Sequence, residues 1–215
     1  MKLIVLISMF LALLGCGDGG ANKIKYGTYT DKRDGYTYKT VKIGEQIWLA
    51  ENLRYLPSLN GVKNSHEEPQ YYVYDYTGSD ILEAKKSKYY RTFGALYNWP
   101  AATTACPSGW HFPDSAEWAE LEEYVGNETA GKQLKSIVGW KHNNFYDVTS
   151  GFAALPSGYF YSGRFDEALK SGYWWSATES EAAYAYSRQM FYHAHLYLNL
   201  DRKNSGFSVR CVQDE

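Results

Sequence analysis

An excess of charge, a third metal ligand and a long apolar run are what this sequence lacks. Lysine and arginine number 22 against 24 aspartates and glutamates, with no basic block. Nucleic-acid binding therefore has no electrostatic footprint, and no nucleic-acid partner is expected. His193 and His195 would share one face of a straight strand, a two-ligand start for zinc, but no third ligand is identifiable. A turn there would break the pairing, so exposed turn histidines are expected, and neither a metal nor a cofactor. Asp31, Asp34 and Gly35 do not match the alternating oxygen spacing of an EF-hand calcium loop and read as a turn. No Ser–His–Asp grouping can be assigned from the sequence, so no catalytic residue is named. The apolar run that follows Lys2 is too short to span a bilayer comfortably.

That run has the layout of an export signal: one positive charge, apolar residues, then Leu13-Leu14-Gly15-Cys16. The last four residues look like a bacterial lipobox, in which the cysteine is lipidated and becomes the mature N-terminus. Residues 1–15 are therefore expected to be a lipoprotein signal peptide, with Cys16 the acylated residue and the membrane a partner through it. Gly17-Asp18-Gly19-Gly20-Ala21-Asn22 opens a flexible tether expected over 16–30. The expected address is the bacterial envelope, at the outer membrane or cell surface rather than the inner membrane. Lipidation leaves Cys106 and Cys211, an even pair where disulfides persist. Joined, they would close a loop worth about 4–5 kcal/mol in chain entropy; two buried free thiols are the alternative.

About 200 residues remain after the signal, enough for one domain with a sizeable core, expected over 31–214. The 21 tyrosines and seven tryptophans suit strands with one face buried and one wet. Tyr36–Ile43 and Gln46–Leu49 alternate around Gly44-Glu45 and predict a hairpin. Arg54–Tyr90 lacks periodicity and predicts a long surface excursion with one strand near Tyr71–Tyr76. Arg91–Ala102 returns to the core. Asp114 stands three residues before Glu117, a capping-box spacing, and Trp118, Leu121 and Val125 share one helical face. With Gly126 as the stop, the helix should run over about 115–125. Ala130–Ile137 is a second helix, weakened by Gly131. Glu122 and Glu123 fall on its predecessor's predicted solvent face. Lys141–Leu169 predicts a long ordered loop. Tyr173–Glu179, Ala183–Met190, Leu196–Leu200 and Phe207–Val212 predict a terminal antiparallel meander.

From about Asp31 to Asp214 the chain resembles the Fibrobacter succinogenes major paralogous domain. The resemblance rests on Trp48-Leu49-Ala50-Glu51-Asn52-Leu53, Leu96-Tyr97-Asn98-Trp99, Cys106-Pro107…Gly109-Trp110-His111 and Glu117-Trp118. It continues through Gly151-Phe152…Leu155-Pro156…Gly158, Trp174-Trp175-Ser176-Ala177-Thr178-Glu179 and Gly206-Phe207-Ser208-Val209-Arg210-Cys211-Val212. Such domains are similar to the C-type lectin-like and formylglycine-generating-enzyme folds. The resemblance implies an α+β C-type lectin-like fold, two helices with a twisted antiparallel sheet and long ordered loops. It also implies a bond between Cys106 and Cys211, because lectins of this type join a cysteine before the first helix to one in the last strand.

The motifs that give relatives their chemistry are missing. The Glu-Pro-Asn and Trp-Asn-Asp sets of calcium-dependent sugar sites are absent, and Glu68-Pro69-Gln70 lies in the wrong place. A redox pair near the C-terminus would need a second cysteine beside Cys211. The expectation is a lipid-anchored, exported binding or adhesion module for a polysaccharide or cell-surface protein. An enzyme acting on glycans or envelope components, with its site in 141–169 and 182–204, is the alternative, and a structural envelope protein the third class. Lectin-like folds bind through the long loop and late strands. That surface maps to Tyr159, Phe160, Tyr161, Arg164 and Phe165, with Gln189, Phe191, His193, His195, Tyr197 and Asn199. Exposed rings beside amide and guanidinium groups suit sugars.

Overall fold

In a computed structural model that describes residues 24–141 and 150–215, strand β1 (Tyr26–Thr30) opens the chain. The expected signal peptide and Cys16 lie outside the described residues. Residues 26–30, expected to belong to the tether, are instead a strand that pairs antiparallel with β2 (Thr37–Ile43). The expected hairpin follows, β2 with β3 (Gln46–Leu49), its two-residue turn entered by Gly44 at φ 62°. Side chains alternate along β2, and both of its faces reach core: Tyr38 packs in one cluster, Val41 and Ile43 in the other, while Lys39 and Lys42 are exposed.

The excursion between residues 54 and 90 is not only surface. It holds β4 (Tyr71–Tyr72) and the short helix α1 (Ile81–Lys86), and α2 (Lys88–Phe93) follows directly. Both helices are too short to show periodicity, yet each is capped, by Asp80 and by Ser87. Next come β5 (Leu96–Tyr97), α3 (Trp99–Ala102) and β6 (Trp110–His111). Helix α4 (Ser115–Val125) has the predicted bounds. Asp114 accepts from the Glu117 amide while the Glu117 side chain accepts from the Asp114 amide.

Helix α5 (Ala130–Leu134) stops three residues before the predicted end. Its Gly131 is required, since a Cβ there would sit 2.2 Å from the His195 carbonyl oxygen. Helices α4 and α5 stand where two were expected, and α1, α2 and α3 accompany them.

The stretch read as loop before residue 169 contains a hairpin, β7 (Tyr159–Tyr161) with β8 (Arg164–Asp166). Strands β9 (Gly172–Glu181), β10 (Tyr184–Met190) and β11 (Tyr197–Arg202) form the predicted meander, in the order β11-β10-β9. The last strand, β12 (Val212–Gln213), is not part of it. It inserts between β3 and β6, closing a five-stranded sheet β1-β2-β3-β12-β6. The architecture is thus mixed α+β with several antiparallel sheets rather than one.

Consecutive tryptophans join the two halves of the core. Trp174 and Trp175 leave β9 on opposite faces and are both fully buried. Trp175 packs with Tyr97, Phe207 and Cys211; Trp174 packs with Trp48, Trp118 and Phe152. Between these clusters lies the Arg210 guanidinium, fully buried, donating to the Leu49 and Phe152 carbonyls and to Asn52 Oδ1 at 2.6–3.0 Å. Asn52 Oδ1 also accepts from the Trp174 indole at 2.9 Å, so one amide ties the loop after β3 to β9 and to the C-terminal segment. Cys106 and Cys211 are bonded, with their Cα atoms 5.9 Å apart.

Candidate functional site

Strand register brings the candidate side chains together. Residues directly opposed in an antiparallel pair share a face. Gln189 faces Tyr197 on one side and Tyr173 on the other, and Ser187 faces Asn199, while Ala185 faces Asp201. The β7–β8 hairpin folds over this face, held to the connection after β11 by mutual hydrogen bonds between Phe160 and Gly206. A cleft of about 380 Å³ remains between hairpin and sheet, lined by Tyr159, Tyr161, Tyr173, Gln189, Asp201 and Phe207, with Tyr184 and Arg202 also contributing. Tyr161, Arg164 and Asp166 continue it into an adjoining groove.

Asp201 carries the polar chemistry of this cleft. Its Oδ2 accepts from Ser187 Oγ at 2.5 Å and from Gln189 Nε2 at 2.8 Å. Among the described residues no lysine, arginine or histidine forms an ion pair with it. Burial raises its pKa above the ordinary carboxylate range, and the two hydrogen bonds only partly offset that. Burial likewise raises the Tyr173 phenol.

The predicted residues divide into four groups. Tyr159, Tyr161 and Gln189 line the cleft and Arg164 the adjoining groove; Tyr161 is 41 % exposed. Phe191 and Tyr197 form an aromatic row beside it, with ring centroids 5.5 Å apart. Asn199 shares the strand face but is not part of the lining, and His193 and His195 stand exposed in the connection before β11. His195 comes only within 4.0 Å of Glu128. Phe160 is a correction: it is fully buried, stacked at 4.0 Å on Tyr72. Phe165 packs against Phe160 and Tyr74 and is structural too. Glu122 is a further correction, since the buried Arg188 on the opposite sheet face reaches it at 2.6 Å.

Asp201, Tyr173 and Tyr184 were missed as site residues. Asp201 read as the start of a loop because β11 was expected to end at Leu200. The alternation Tyr197-x-Asn199-x-Asp201 was the available signal.

Two other hollows compete less well. One of about 620 Å³ lies over β1 and β2, but its carboxylate, Glu51, is already engaged by the Tyr36 hydroxyl and the Lys39 amide. Another, of about 300 Å³, surrounds His111, whose two ring nitrogens are taken by Asp214 at 2.8 Å and Glu117 at 2.5 Å. No cluster of three or more metal-ligating side chains occurs among the described residues.

Compared with known families, residues 41–213 match the sequence model of the Fibrobacter succinogenes major domain. The chain belongs to that family. No curated protein and no solved structure matches it. The residues that carry the resemblance in this Fibrobacter succinogenes major domain mostly build its core: Trp48, Asn52, Trp118, Trp174, Trp175, Arg210 and Cys211 are all buried. Tyr159, Tyr161, Tyr184 and Asp201 lie outside those motifs. Membership therefore accounts for the scaffold, and the cleft must be read on its own chemistry.

Proposed function

We propose that this Fibrobacter succinogenes major domain is an exported, lipid-anchored binding module that takes a glycan in the tyrosine cleft. The observation that carries the reading is the convergence of Tyr159, Tyr161 and Tyr173 on the Asp201–Gln189 pair in an open cleft. Sugar C–H faces stack on aromatic rings, while hydroxyls need paired donors and acceptors held in place. A hairpin and a three-stranded sheet hold them rigidly, which lowers the ordering cost of binding. The α+β architecture and the Cys106–Cys211 bond support a C-type lectin-like scaffold. The lipobox-like Leu13-Leu14-Gly15-Cys16 supports an anchor at the envelope surface.

Isothermal titration of the full chain against neutral and amine-bearing oligosaccharides tests the site. Tyr161→Ala should weaken binding about ten-fold or more while leaving the unfolding midpoint unchanged, because its half-exposed ring contributes little to the core. Parallel losses of affinity and stability would place the ring in the fold instead. Hydrolysis of the bound oligosaccharide, abolished by Asp201→Asn, would move the protein to the glycan-acting enzymes. Cys16→Ser should release the protein from membranes; a variant that still sediments with them removes the anchor.

A further inference from the structure

We propose that the cleft selects a ligand bearing a positive charge, with an organic ammonium group of the glycan seated between Asp201 and the tyrosine rings. The inference rests on the cleft being the ligand site and adds the charge of what enters it.

The first support is the unbalanced carboxylate. Other partly or fully buried carboxylates have a cationic side chain beside them: Asp31 has Arg33, Glu51 has Arg54, Glu122 has Arg188 and Glu167 has Lys170. Asp201 has only neutral partners, the Ser187 hydroxyl and the Gln189 amide. They fix its position and leave its charge. Arg202 does not neutralise it. Arg202 contributes to the cleft lining, but side chains alternate along a strand and it leaves β11 on the side away from Asp201. Its guanidinium lies 5.5 Å from the centroid of the Tyr184 ring, its cross-strand neighbour, and forms no ion pair with Asp201. Arg164 lines the adjoining groove together with Asp166 rather than the Asp201 cleft.

The second support is the kind of hydrogen-bonding capacity left over. Gln189 Nε2 donates to both Ser187 Oγ and Asp201 Oδ2, so the amide's donor is directed to the wall. Among the described residues, neither Gln189 Oε1 nor Asp201 Oδ1 accepts a hydrogen bond. Beside the tyrosine hydroxyls, which can donate or accept, the centre of the cleft thus presents the acceptors Gln189 Oε1 and Asp201 Oδ1, and an ammonium group supplies donors alone.

The third support is independent of both. Tyr159, Tyr161, Tyr173 and Phe207 surround these acceptors with aromatic rings, whose faces are electronegative and attract cations. A neutral hydroxyl would satisfy the acceptors but leave the carboxylate unbalanced, and an anion would be repelled by carboxylate and ring faces together.

The test is calorimetric titration of the full chain with three probes: a β-1,4 glucosamine tetramer with free amines, its N-acetylated counterpart, and choline. The free-amine tetramer should bind at least ten-fold more tightly than the acetylated one, and choline should compete with it. Asp201→Asn keeps an acceptor for Ser187 and Gln189, so it should fold with an unchanged near-ultraviolet spectrum and lose the ten-fold preference. Equal affinity for the two tetramers, or a preference that survives Asp201→Asn, overturns the inference while leaving the glycan reading in place. Choline binding without either tetramer upholds the inference and removes the glycan. Silence from all three probes overturns both.

Discussion

Severing the Cys106–Cys211 bond should destabilise the domain by about 4–5 kcal/mol. The bond spans 105 residues of sequence, and the chain-entropy relation for a loop of that length gives about 4.7 kcal/mol at 25 °C. Cys211 is fully buried against Trp175 and Val209 in one core cluster, so alanine is the replacement there; half-buried Cys106 takes serine. In the range of 150–250 residues, each kcal/mol moves the unfolding midpoint by about 2–4 °C, so the double variant should melt about 10–18 °C lower. Urea unfolding followed by tryptophan fluorescence reports the same loss as a lower midpoint. The slope should rise, because the uncrosslinked unfolded chain exposes more surface. A loss below about 1 kcal/mol with an unchanged slope would refute this reasoning. It would mean that non-covalent contacts suffice to hold the C-terminal segment, among them Leu49 N to Cys211 O, Leu53 N to Val209 O and the three hydrogen bonds of Arg210.

Two further predictions probe other parts of the fold. Burial lowers the pKa of His111, but the Glu117 and Asp214 carboxylates on either side more than offset this and raise it above the ordinary histidine value. A raised folded-state pKa stabilises fully below the unfolded value of about 6.5 and is lost as pH climbs through the folded value. The stability difference between wild type and His111→Asn should therefore shrink from pH 6 to pH 9, and a constant difference would dismiss the clamp. The difference is the proper measure, because Lys135, pushed down to about 8 by burial, works in the opposite direction over the upper part of that range. Gly131→Ala should destabilise by roughly 2 kcal/mol despite the better helix propensity of alanine, since the collision is with the His195 backbone; a gain in thermal unfolding would refute it.

How much of this protein was legible depended on how far along the chain each decision is made. Helix α4 was readable to the residue, because a capping box and an apolar stripe are set by neighbours three and four residues apart. The β2–β3 hairpin was readable because a strand's faces alternate with period two and Gly44 permits the turn. Helices α1 and α2 escaped, since six residues are too few to display a period. The β7–β8 hairpin escaped because Arg164–Asp166 is short and mostly polar. Phe160 and Tyr161 are adjacent aromatics, one stacked in the core and one open to the cleft, and nothing in their identities separates them. The placement of β12 between β3 and β6 is a pairing across the whole domain, decided by where Arg210 and Cys211 find carbonyls and a thiol more than fifty residues away. The sequence by itself determined the local elements and, through its motifs, the family. Only the tertiary structure decided that Asp201 and Gln189 meet under the tyrosines. That meeting depends on strand register and on a hairpin docking from elsewhere in the chain, and such contacts follow from the packing of the whole core rather than from any local pattern.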